Sequence, residues 1–92
     1  MTIMSSSEFE AVVTQIKMRV DRALSERGSV PNLENVGREL NHIFAAARQS
    51  AKLKAQRGLL EKVTDTLSSE IPDDGTMMEK LWDLMDYIDY RT

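Results

Sequence analysis

Apolar residues recur along the chain at steps of three and four. Phe9, Val12, Val13, Ile16, Val20, Ala23 and Leu24 form one such series. That period places them on one face of a helix, while Glu10, Lys17, Asp21 and Arg22 fall on the opposite face. Ser5, Ser6 and Ser7 supply N-cap candidates, and Gly28 supplies a stop. A first helix is therefore predicted over about 7–27.

Gly28-Ser29-Val30-Pro31-Asn32 reads as a turn, with Asn32 placed to cap a second helix. Leu33, Val36, Leu40, Ile43, Phe44, Ala47 and Ala51 then continue the helical period, as do Leu59, Leu60, Val63 and Leu67. Gly58, preceded by Lys52, Lys54 and Arg57, resembles a helix end, because cations favour the last turn. The pattern allows helices over about 33–57 and 59–69, or one helix spanning both, and favours a break near 56–58. Glu70-Ile71-Pro72-Asp73-Asp74-Gly75 is a loop. Thr76-Met77-Met78-Glu79 has the spacing of a capping box and opens a last helix over about 77–90. No segment alternates with period two, so the expectation is an all-α three- or four-helix bundle. Residues 1–92 are expected to form one domain, with 1–6 disordered.

The last helix carries more apolar surface than one core stripe requires. Met77, Met78, Leu81, Trp82, Leu84, Met85, Tyr87, Ile88 and Tyr90 are apolar or amphipathic and spread around the cylinder. One reading buries two faces between neighbouring helices. The other makes Met78, Trp82, Met85, Tyr87 and Tyr90 a contact patch, since Trp and Tyr are enriched at interaction hot spots and Met adapts to irregular surfaces. Asp83, Asp86 and Asp89 step by three beside them and would form its polar rim. Asp86 and Asp89 sit where the helix macrodipole disfavours negative charge, a placement that stability alone does not explain.

The net charge of −3 is unevenly laid out. Residues 1–37 hold four basic and five acidic groups. Residues 38–64 hold Arg38, Arg48, Lys52, Lys54, Arg57 and Lys62 against Glu39 and Glu61. Residues 65–92 hold eight acids against Lys80 and Arg91. The halves can neutralise each other within the fold, or one face can meet a charged partner. The basic run 48–57 could be a recognition helix, with Leu33–Leu40 as the first helix of a helix-turn-helix. That arrangement needs a turn near Asn41–Ile43, where the helical period is unbroken, and net acidity disfavours nucleic acid. There is no cysteine, which removes disulfides and thiolate metal sites. No apolar run has the length of a membrane span and no leader is recognisable, so a cytoplasmic location is the default expectation.

His42, the single histidine, follows Arg38 by one turn and precedes Ala45, Ala46 and Ala47. This segment, over about 33–69, resembles histidine phosphotransfer domains, helical bundles in which an exposed histidine accepts a phosphoryl group from a receiver aspartate. The resemblance implies His42 as the acceptor. The basic residue and glycine that usually follow at +3 and +4 are replaced here by Ala45 and Ala46. The leading expectation is a non-enzymatic protein–protein interaction module: an adaptor, a chaperone-like binder or an inhibitor. It would use Met78, Trp82, Asp83, Met85, Asp86, Tyr87, Asp89 and Tyr90 against another protein or a second copy, without cofactor or metal. A phosphotransfer relay through His42 and a nucleic-acid-binding regulator using residues 48–57 are the alternatives.

Overall fold

The computed structural model describes residues 5–72 and 74–91. Five helices follow one another: α1 (Ser6–Arg27), α2 (Pro31–Ala46), α3 (Ser50–Ala55), α4 (Arg57–Glu70) and α5 (Gly75–Arg91). The four longer ones form the all-α bundle, closed in a ring. α1 packs on α2, α2 on α4, α4 on α5 and α5 on α1, and Arg27 at the end of α1 reaches Glu70 at the end of α4 at 3.5 Å across one diagonal. Neighbours run antiparallel, as short connections between helices favour. α3 lies across the end where α2 and α5 finish and α4 begins, touching all three.

Each helix starts for a local reason. Ser5 and Glu8 form a capping box on α1: Glu8 N–H donates to Ser5 Oγ at 3.1 Å, and Ser5 N–H donates to Glu8 Oε1. Ser5 and Ser6, within the stretch expected to be disordered, thus cap and open α1; residues 1–4 lie outside the described residues. Gly28 ends α1 at φ +80°, a backbone open to glycine, and its N–H returns to Leu24 O.

Pro31 is the first residue of α2, where its missing N–H costs nothing. Asn32, expected to be the cap, lies inside the helix instead. α5 also begins earlier than expected. Its first turn is capped by Asp74, whose Oδ1 accepts from Met77 N–H at 2.9 Å, so Thr76 belongs to the helix and is not its cap.

The middle of the chain breaks twice. The break near 56–58 is present at Gln56, but Gly58 sits in the first turn of α4 and ends nothing. The second break, at 47–49, interrupts the expected 33–57 helix. Ala47 and Gln49 close tightened turns onto Phe44 O and Ala46 O. Continued with its own period, α2 would bring Ser50 and Lys54 onto the stripe that holds Ile43 and Ala47. Turning the chain buries Leu53 there instead.

The core is one cluster drawn from all five helices, including Phe9, Ile16, Leu33, Leu40, Ile43, Leu53, Leu60, Leu67, Leu81 and Ile88. Ala51 and Phe44, both assigned to the apolar face of the second helix, are exposed. Phe44 retains 41% of its surface in solvent.

Candidate functional site

α5 divides cleanly around its axis. Met77, Leu81, Leu84, Met85, Tyr87 and Ile88 are buried against α1, α4 and α3. This wide buried sector accounts for most of the apolar excess on the helix. Met85 and Tyr87, expected in the contact patch, belong to this core. The Tyr87 ring lies 4.7 Å from that of Phe9, and its hydroxyl is hydrogen-bonded to Ser6 Oγ at 3.1 Å. Its polar tip is therefore answered within the fold, which is how a buried tyrosine is ordinarily held. Met78 is half-buried at the edge of the cluster.

The remaining patch residues lie outside. Trp82 is 58% exposed and Tyr90 67% exposed. Residues 78, 82, 86 and 90 follow at steps of four and line one face of the helix. Glu79, Asp83 and Asp86 are exposed beside or between the aromatic rings. None of the three forms an ion pair among the described residues.

Asp89 behaves differently from the other aspartates of the strip. Arg57 donates to it through Nε at 2.9 Å and through Nη2 at 3.3 Å, while Nη1 reaches Glu61 at 2.7 Å. The Arg57 hydrogen bond holds the Asp89 carboxyl below the usual aspartate range. The same bond, opposed by burial, keeps the guanidinium above its ordinary value. A carboxylate at the wrong end of the helix dipole is thus answered by a cation from α4, the preceding helix. Asp89 is part of the bundle's own wiring, which leaves Asp83 and Asp86 as the open part of the rim.

The basic run is likewise partly spent inside the fold. Arg48 grips Glu10 through Nη2 at 2.9 Å and Nε at 3.3 Å, and also reaches Ser7. This hydrogen bond to Glu10 raises the guanidinium above its ordinary value. With Arg57 also engaged, Lys52 and Lys54 remain exposed on a helix of six residues. That helix is about 9 Å long at 1.5 Å per residue. No turn occurs at Asn41–Ile43, where α2 is continuous, so the helix-turn-helix register has no counterpart.

His42 is exposed within α2, and Arg38 one turn before it donates to Asn35 Oδ1. Ala45 is exposed on the following turn, while Ala46 and Ala47 are buried. At the other end of the bundle, a cleft of about 190 Å³ opens between α1 and the start of α5, lined by Gln15, Ile16, Arg19, Asp74, Met77 and Lys80. Its two closest charges answer each other, because Arg19 Nε donates to Asp74 Oδ2 at 2.9 Å. The Asp74 carboxyl is held below the usual range, first by the Met77 N–H and also by Arg19. Among the described residues, no group of three acidic or histidine side chains is placed to hold a metal. No helix among them is long and apolar enough to cross a membrane.

The exposed aromatics had a legible signal: once the period assigns Leu81, Leu84 and Ile88 to the core, Trp82 and Tyr90 fall on the far side. The double grip of Arg57 on Asp89 had none, since it joins residues 32 apart. No protein-family model matches the chain, and no curated protein or solved structure matches it either.

Proposed function

We propose that the chain is a small non-enzymatic interaction module that presents the outer face of α5 to a protein partner. One observation carries this reading. Trp82 and Tyr90 stand exposed on one helix face, about 12 Å apart at 1.5 Å per residue, framed by carboxylates that form no ion pair among the described residues. Scattered single apolar residues on a surface need no explanation, whereas two large aromatics framed by one sign of charge fit the anatomy of a hot spot with a polar rim. Met78 extends the row toward the start of the helix.

The direct test is crosslinked capture from native lysate, comparing the wild-type chain with Trp82→Ala, followed by reconstitution with the captured protein. A partner that binds the wild type and is lost from Trp82→Ala supports the reading. Undiminished capture by Trp82→Ala counts against it.

The exposure of His42 favours a second reading, a phosphotransfer relay in which an imidazole nitrogen takes a phosphoryl group from a receiver aspartate. It predicts acid-labile phosphate on the wild-type chain and none on His42→Gln after incubation with a phosphorylated receiver domain. Equal labelling of the two chains removes it.

A further inference from the structure

The outer face of α5 repeats a pattern that arginines already satisfy elsewhere on the same helix. Asp89 is held by Arg57 through two bonds. The ring of Tyr87 has the guanidinium of Arg91 5.5 Å from its centroid. On the solvent side, Trp82, Asp86 and Tyr90 follow at steps of four, so a carboxylate stands between two aromatic rings. Successive members of this ladder are about 6 Å apart along the axis. All three are exposed, and Asp86 has no ion pair among the described residues.

We propose that this ladder reads arginine: it docks a segment of another protein that presents guanidinium groups to Asp86, Trp82 and Tyr90. A guanidinium is flat. Its edge hydrogen-bonds a carboxylate while its face stacks on an aromatic ring. A spacing of about 6 Å lets one arginine do both, edge-on to Asp86 and face-on to Trp82 or Tyr90. Lysine would bring the charge without the plane. Glu79 and Asp83, also without an ion pair among the described residues, draw further cations of the segment to the same face.

Charge selects this occupant over a second copy of the chain. A two-fold contact centred on the ladder would stack Trp82 near Tyr90 of the other copy. It would also oppose Asp86 to Asp86 and bring Asp83 within about 9 Å, along the axis, of its counterpart, and like charges across a contact are penalised. The inference rests on the interaction-module reading and sharpens it to one class of partner.

Trp82 is the only tryptophan, so its fluorescence reports on the ladder directly. The probes are two alanine-based helical peptides, identical except that one carries arginine and the other lysine at every fourth position. They are titrated into the full chain at low and at physiological ionic strength. The expected result is a change in Trp82 emission and an affinity about five-fold higher for the arginine peptide, from the flat edge-and-face geometry that lysine lacks. Asp86→Asn, read by the same fluorescence, and Trp82→Ala, read by calorimetry, should bring the two peptides to parity.

Equal affinities in the wild type, or an arginine preference that survives Asp86→Asn, overturn the inference. Sedimentation showing a wild-type dimer that Trp82→Ala converts to monomer assigns the face to a second copy and overturns it as well. In either case, a native partner lost with Trp82→Ala would still uphold the interaction-module reading, so the two can fail separately.

Discussion

The ring of Tyr87 packs on that of Phe9 at 4.7 Å between centroids and 34° between planes, while its hydroxyl meets Ser6 on the same neighbouring helix. These contacts join the start of α1 to the end of α5. Tyr87→Phe removes only the hydrogen bond and should cost about 1 kcal/mol. Tyr87→Ala also empties the core at that point and should cost about 3–5 kcal/mol. Urea denaturation of the two variants beside Ser6→Ala checks the split, and Ser6→Ala should match Tyr87→Phe.

Asp74 caps α5 and pairs with Arg19. Asp74→Ala should destabilise the chain by about 1 kcal/mol, the usual worth of an N-cap. The carboxyl is held below the usual range in the fold. Its stabilising contribution is therefore complete above the unfolded value, about 3.9, and is lost as pH falls through the lower folded value. Denaturation midpoints for the wild type and Asp74→Ala should start to approach each other below about pH 4 and meet only below the lower folded value. A gap between them that stayed constant into strong acid would contradict this assignment.

Trp82→Ala should leave stability within about 0.5 kcal/mol of the wild type, because the side chain is mostly in solvent. The native emission of Trp82 should already resemble that of the unfolded chain and should be quenched readily by acrylamide. A blue-shifted, protected tryptophan would contradict the exposure on which the docking face depends.

Gly37 lies within α2, and a Cβ added there meets nothing within 4 Å. Gly37→Ala should stabilise the chain by about 0.5–1 kcal/mol, through lower unfolded-state entropy and better helix propensity. A higher urea midpoint with an unchanged denaturant slope would be the signature.

The hydrophobic period carried most of the bundle. It located α1 through Phe9, Ile16 and Val20 and the core stripe of α5 through Leu81 and Ile88, while the chain break near Gln56 was signalled by Gly58 and the cations before it. The turn at 47–49 escaped it. Ala46, Ala47 and Gln49 are adequate helix formers, and no glycine or proline marks the spot. What turns the chain is tertiary: the gain from burying Leu53 in place of Lys54 at the end of the bundle.

The contact face was half legible for a related reason. A wheel separates Trp82 from Leu81, but whether a second sector is covered depends on which helices flank it. Tyr87 and Met85 went to the core because α1 and α4 both pack on α5. The fate of Asp89 depended on Arg57, which no local spacing connects to it.

The ring closure of the bundle also decides how it would answer mechanical force. α1 begins where α5 ends, and the two lie side by side. A pull applied between Ser6 and Arg91 would load Tyr87 against Phe9 first and then the pairs behind them one at a time. The helices would peel open in sequence, because this geometry never loads the whole interface at once. A bundle held by a continuous apolar core would thus yield to tension along this direction by unzipping rather than by shear.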